Sequence, residues 1–180
     1  MWRLILTPIL RTHRGALLLA GLSCLALTGG GLVFSHVLNL AACSLCVIQR
    51  MLYLLMASFC FLGLFSPWNI GARLGAGWAA VAGGAGMVAS GYQTWIQRVA
   101  PETVCGAHMP WWEELAYDAS DKWPFLFRIS GLCSDPAWKF LGLSIAEWSL
   151  LCFSVLTVLL LSLAFKARFA RPRGLFYRHE

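Results

Sequence analysis

The sequence predicts an all-α membrane protein: a bundle of four transmembrane helices with a long outer loop that carries a short interfacial helix. Three observations predict it. Hydrophobic residues make up 59% of the 180-residue chain and charged residues only 12%, whereas a soluble domain carries about 25% charge. Four long stretches are almost free of charge. Lysines and arginines gather on one side of the bilayer that those stretches define. The same composition excludes a disordered chain, which is poor in apolar residues and rich in charge. The chain reads as a single membrane domain over residues 1–180.

Crossing hydrocarbon as a helix takes about 20 mostly apolar residues. Residues 15–38 and 74–97 carry no charge, 46–65 carries Arg50 and 143–165 carries Glu147, each near its start. These runs are continuous and rich in Leu, Ala and Gly, without the period-two alternation of a barrel strand. Residues 39–42 make a very short first loop, and residues 66–73 a second, with Pro67 and Asn69 as helix breakers. Residues 98–142 form a long third loop holding Pro101, Pro110, Pro124 and Pro136. Within it, Pro110-Trp111-Trp112-Glu113-Glu114-Leu115 predicts the short interfacial helix, with Trp at headgroup level. Glu113, Glu114, Asp118 and Asp121 read as a solvated face. Gly75, Gly77, Gly83, Gly84, Gly86 and Gly91 predict close helix packing along the third span.

Four spans put both termini on the side of the second loop. Nine basic residues lie there: Arg3, Arg11, Arg14, Arg73, Lys166, Arg168, Arg171, Arg173 and Arg178. Four lie opposite, Arg98, Lys122, Arg128 and Lys139, with Arg50 at a span end. The positive-inside bias therefore puts both termini in the cytoplasm and turns the first and third loops outward, into the periplasm if the source is a Gram-negative bacterium. The net charge of +6 follows from this bias. The tail over residues 166–180 reads as a topology and anionic-lipid anchor, with no nucleic-acid partner expected. The first span has the basic start of a secretory leader. Its apolar run continues past Cys24 to Leu38, however, and Gly21-Leu22-Ser23 lacks the apolar residue usual before a lipoprotein cysteine, so it is expected to remain as a span.

Seven cysteines divide by depth. Cys24, Cys60 and Cys152 lie inside spans and read as small apolar side chains. Cys43, Cys46, Cys105 and Cys133 fall on the oxidising side, where disulfides form and persist. Cys43-Ser44-Leu45-Cys46 is a C-x-x-C, a spacing shared by redox and zinc sites. Cys46 is expected to begin a helix, where free N–H groups and the macrodipole favour a thiolate. Arg50 lies one turn further on the same face. It is placed to stabilise that thiolate or an oxyanion on a bound ligand, the alternative being that it snorkels to headgroups. Cys105 and Cys133 stand 28 positions apart. They read as a structural disulfide or as the second of two exchanging dithiol pairs. A four-cysteine zinc site is disfavoured, because only one of the pairs has ligand spacing, and no metal is expected. His36 is the only histidine within the spans, which leaves no axial pair for haem. His108 reads as solvated.

These features together resemble the DsbB family, the disulfide bond formation proteins of bacterial inner membranes. The likeness is carried by Cys43-Ser44-Leu45-Cys46 followed by Gln49-Arg50, and by the Cys105/Cys133 pair in the long loop. It continues through Cys133-Ser134-Asp135-Pro136-Ala137-Trp138 and Phe140-Leu141-Gly142-Leu143 to Glu147-Trp148. The resemblance implies an enzyme, a protein-disulfide:quinone oxidoreductase, that reoxidises DsbA, a periplasmic thioredoxin-fold dithiol oxidase. It implies that Cys105 carries the mixed disulfide with DsbA, that Cys133 then attacks Cys43 of a Cys43–Cys46 disulfide, and that Cys46 is released beside a membrane quinone, ubiquinone or menaquinone. Arg50 would hold the quinone. The DsbA–DsbB–quinone system is a known example of an oxidising compartment maintained kinetically, and DsbA, at about −120 mV, is itself a strong oxidant. An ordinary disulfide reoxidises such a dithiol only uphill, so a lipid-soluble acceptor is required.

The chain departs from the family at one place. Many members carry a histidine near the outer end of the third span, and here Gln93, in Tyr92-Gln93-Thr94-Trp95-Ile96-Gln97, stands in that position. Gln93 can hydrogen-bond a quinone oxygen but brings no charge. Two other readings compete. A thiol enzyme resembling the vitamin K epoxide reductase family is disfavoured, because its C-x-x-C lies in the last span. A membrane scaffold with static disulfides is separated from both by its lack of thiol exchange.

Overall fold

The structure, a computed structural model, describes residues 13–99, 110–134 and 138–166. Cys105, His108, Pro101, Pro136, Arg3, Arg11 and the arginine-rich tail lie outside the described residues. Four long helices dominate: α1 (His13–His36), α2 (Ser44–Phe65), α3 (Asn69–Arg98) and α6 (Ile145–Lys166). Between α3 and α6 come α4 (Trp111–Lys122), α5 (Pro124–Phe127) and a hairpin of β1 (Lys139–Phe140) with β2 (Leu143–Ser144). Among the described residues, three helices, α1, α2 and α6, are long and apolar enough to cross a membrane. The 30-residue α3 is longer but less apolar, diluted by its glycines and by Arg73, Gln93 and Gln97.

Two helix starts differ from expectation. α2 begins at Ser44 with Cys43 as its N-cap, so Cys46 lies within the first turn. α3 begins at Asn69, which opens the helix and does not break it; only Pro67 lies in the connection. An asparagine is tolerated in a first turn, where the backbone N–H groups have no intrahelical partner to lose.

The helices pack in sequence, α1 on α2, α2 on α3 and α3 on α6, while α1 and α6 meet only sparsely. Small residues set the closest approach. A Cβ on Gly75 would stand 2.7 Å from the Gly63 Cα and from the Phe59 carbonyl, so α2 and α3 touch backbone to backbone. Gly86 makes room for the ring of Phe153, and Gly83 for Thr157, both on α6. Gly77, Gly84 and Gly91 face open space, so the close-packing expectation holds for one face of α3. Cys24 and Cys60 are fully buried in this core, as expected of small apolar side chains. Tyr53 stacks on Phe153 with ring centroids 3.9 Å apart and donates to the Ser149 carbonyl at 3.2 Å.

The entrance to α6 explains its one acidic residue. The Ser144 N–H donates to Glu147 Oε2 at 2.7 Å, and the Glu147 N–H donates to Ser144 Oγ at 3.4 Å. This is a capping box. Glu147 Oε1 also pairs with Arg98 at 2.6 Å, tying the end of α3 to the start of α6. The hairpin before it turns through Leu141 and Gly142, both at positive φ (53° and 79°), as a two-residue hairpin turn requires.

Candidate active site

The site is built at the N-terminus of α2. Cys43 is extended (φ −89°, ψ 170°), and its sulfur accepts the Cys46 N–H at 3.4 Å, satisfying one free donor of the first turn. The Cys43 and Cys46 sulfurs stand 3.1 Å apart as thiols. From α3, buried Gln93 donates through Nε2 to both sulfurs at 3.3 Å, while its Oε1 accepts from Gln49 Nε2 at 2.7 Å. The orientation of both amides is therefore fixed by their partners.

Cys133 is delivered by a backbone clasp. The N–H groups of Ser130 and Gly131 donate to the Ala42 carbonyl at 2.8 and 3.1 Å, and the Ala42 N–H donates to Ser130 Oγ at 3.3 Å. A Cβ on Gly131 would stand 2.7 Å from the Ala41 Cβ, so this approach depends on glycine. The clasp lays Cys133 beside Cys43, where the two bury together with Leu45 and Ile96 against Trp112 of α4. Ser44 Oγ is 3.4 Å from Cys133 Sγ, and the Leu45 N–H also donates to that sulfur.

The proton between these two thiols is unequally shared. Donation from Cys43 holds the Cys133 thiol down at about 6, helped by Ser44 and the Leu45 N–H, against the opposing effects of burial and of Glu113. Cys43 is pushed well up, first by its hydrogen bond to Cys133, then by that to Cys46 and by burial. The free end of α2 thus serves Cys133 as well as the C-x-x-C.

Below Cys46, α1, α2, α6 and residues 40–42 enclose a mainly apolar cavity of about 230 Å³. Cys46, Gln49, Arg50 and Tyr53 of α2 border it, at the i, i+3, i+4, i+7 spacing of one helix face. Arg50 is 8% exposed and does not snorkel. Its guanidinium donates to the Gly31 carbonyl at 2.8 Å, to the Leu126 carbonyl at 3.2 Å and to Ser35 Oγ. Those acceptors offset the cost of burying the charge. Gln93 does not border the cavity; Gln49 stands between. Trp148, Ser149 and Cys152 of α6 line it too. Sequence reasoning missed these lining residues. Trp148 and Cys152 lie one turn apart, and that phase was the available signal. His36 ends α1, stacks on Phe125 and pairs with its carbonyl at 2.7 Å, away from the cavity lining.

One expectation is overturned. Glu114, Asp118 and Asp121 are exposed, but Glu113 is buried at 5% exposure and accepts from Ser44 Oγ at 3.4 Å. The face of α4 that packs inward carries Glu113, Ala116 and Ala119, a three-residue phase that brings the carboxylate in with the alanines. α4 itself forms where a short helix was expected, with Trp111 outward and Trp112 against the cysteines.

The fold and the site define a helical membrane protein organised around thiol chemistry, with three thiols meeting above an apolar cavity that holds a guanidinium. Comparison with known proteins is specific. The family described as Disulfide bond formation protein DsbB matches residues 13–163. Disulfide bond formation protein B of Verminephrobacter eiseniae is 38% identical over 173 residues, 91% of this chain and 93% of its own. That of Dechloromonas aromatica is 39% identical over 141 residues, 74% of this chain and 81% of its own. Disulfide bond formation protein B 1 of Pseudomonas entomophila is 35% identical over 156 residues, 86% and 91% of the two chains. The chain belongs to the DsbB family.

Proposed function

We propose that the chain is an inner-membrane oxidoreductase that reoxidises a DsbA-like periplasmic dithiol oxidase and delivers the two electrons to a membrane quinone, ubiquinone or menaquinone. The observation that carries this reading is the meeting of Cys43, Cys46 and Cys133 at one helix end, with Cys46 and Arg50 bordering the same cavity. All four long helices then cross the bilayer as one domain, with both termini in the cytoplasm and α4 at the periplasmic surface.

The residues present fit a quinone head: the cavity is apolar, and Arg50 brings N–H donors to its wall. A bound quinone supplies an acceptor for two electrons. The chain's own residues do the rest. The reduced partner attacks the Cys105–Cys133 disulfide at Cys105, and Cys133 is released. Cys133 attacks Cys43 of the Cys43–Cys46 disulfide, forming Cys43–Cys133 and freeing Cys46 as a thiolate. The Gln93 amide steadies that sulfur at the cavity wall. Arg50 balances its charge.

The test mixes the purified chain with reduced partner and a short-chain ubiquinone and follows quinone absorbance. Cys46→Ser is expected to abolish turnover. Arg50→Ala is expected to raise the KM for quinone about tenfold, the loss of roughly one charge-assisted hydrogen bond. An undiminished rate in Cys46→Ser overturns the proposal. Four outer cysteines that stay oxidised under reduced partner, with no mixed disulfide at Cys105, favour the static scaffold.

A further inference from the structure

Glu113 has no part in the relay described so far, yet it is buried beside it. It lies in the first turn of α4, and α4 packs against α2. Ser44 Oγ stands 3.4 Å from Glu113 Oε1 and 3.4 Å from Cys133 Sγ. A serine hydroxyl donates one hydrogen bond and accepts others. It can accept from a Cys133 S–H while it donates to Glu113, which gives the thiol proton a path to the carboxylate.

The need for such a path follows from the oxidation state, taking the relay above as given. In the fully reduced chain the neighbouring Cys43 thiol is the largest influence that holds Cys133 as a thiolate. In the state that Cys133 attacks, Cys43 is bonded to Cys46 and has no proton to donate. Cys133 leaves Cys105 as a thiolate. It then keeps the Leu45 N–H and Ser44 but lacks the Cys43 proton, so below the ordinary thiol range it takes up a proton from water, and that proton must leave again before the sulfur attacks.

We infer that Glu113 is the proton acceptor for Cys133, acting through Ser44. As the Cys133 S–H bond breaks, its proton passes to Ser44 Oγ and the Ser44 proton passes to Glu113 Oε1. The Cys133 electron pair forms the bond to Cys43. The Cys43–Cys46 bond breaks, and its pair leaves on Cys46 Sγ. One disulfide replaces another with no net oxidation. The negative charge moves from Glu113 to Cys46, toward Arg50. Among the described residues, the titratable and charged groups around this path are Cys133 from the loop, Cys43, Cys46 and Arg50 from the α2 side, and exposed Glu114 on α4; α3 contributes neutral Gln93.

A carboxylate that acted only by its charge would have the opposite effect. It disfavours a thiolate at Cys133, so its removal would speed the exchange at low pH. The experiment mixes the oxidised full-length chain, in lipid nanodiscs, with reduced DsbA-like partner. It is acid-quenched over time, and the Cys105 mixed disulfide and the Cys43–Cys133 disulfide are quantified from about pH 6 to about pH 9. Glu113→Gln is expected to form the mixed disulfide at the wild-type rate, which also shows that it is folded. Its conversion to Cys43–Cys133 is expected to slow on the order of tenfold at neutral pH, with the deficit closing toward about pH 9 as the thiol ionises unaided. Ser44→Ala should reproduce this profile, and Glu113→Asp should restore part of the rate. Conversion in Glu113→Gln that is as fast as wild type, or slowed equally at every pH, overturns the proposal. A wild-type chain that forms no mixed disulfide overturns the relay itself, and this inference with it.

Discussion

Cys133 and Cys43 are chemically alike in the sequence and unlike in the structure. Both sit at the end of α2, but only Cys133 receives the Leu45 N–H together with the Cys43 proton. In the fully reduced chain, the thiolate absorbance that disappears in Cys133→Ser should titrate near about 6. The sign is that of a lowered group: the thiolate is present above this value and is lost as pH falls through it. A titration in the ordinary thiol range, about 8.5, would contradict the geometry. The C-x-x-C and Arg50 were legible from spacing and side. Glu113 was not, because carboxylates were read by residue type. Its phase with Ala116 and Ala119 decides its burial, and that phase matters only once α4 has a helix to lie on.

At the scale of elements, the clasp between Ala42 and residues 130–131 does what no helix does here: it holds Cys133 beside Cys43. Gly131→Ala would force a Cβ into Ala41, an overpacking that costs about 1–3 kcal/mol. Its expected effect is a roughly tenfold slower Cys43–Cys133 disulfide under mild oxidation. Leu132→Ala, at a 68% exposed position, should leave that rate unchanged. Quantitative non-reducing gels read both variants. The long helices were legible because a membrane demands long apolar runs. Their first turns were not: Cys43 caps α2 from the residue before Ser44, and Asn69 opens α3 with no side-chain cap, details that no hydropathy window registers. The clasp was equally hidden, being a backbone pairing between positions 88 apart.

At the scale of the molecule, α2, α3 and α6 form the tightly packed part, and α1 leans mainly on α2. Substitution should report this asymmetry. Gly86→Leu meets the Phe153 ring and is expected to destabilise the chain by about 1–3 kcal/mol. Gly84→Leu faces open space and is expected to change stability by no more than about 0.5 kcal/mol. Reversible unfolding in detergent compares them. The sequence carried the order of the long helices, but the cavity arises where two helices meet only sparsely, a property of neither one. That gap between α1 and α6 has a further consequence. A hydrocarbon-soluble acceptor of the kind proposed above would come to Cys46 and Arg50 sideways from the bilayer, without crossing water. Its supply is then a two-dimensional quantity, counted per lipid and not per litre, and the surrounding leaflet serves as its reservoir.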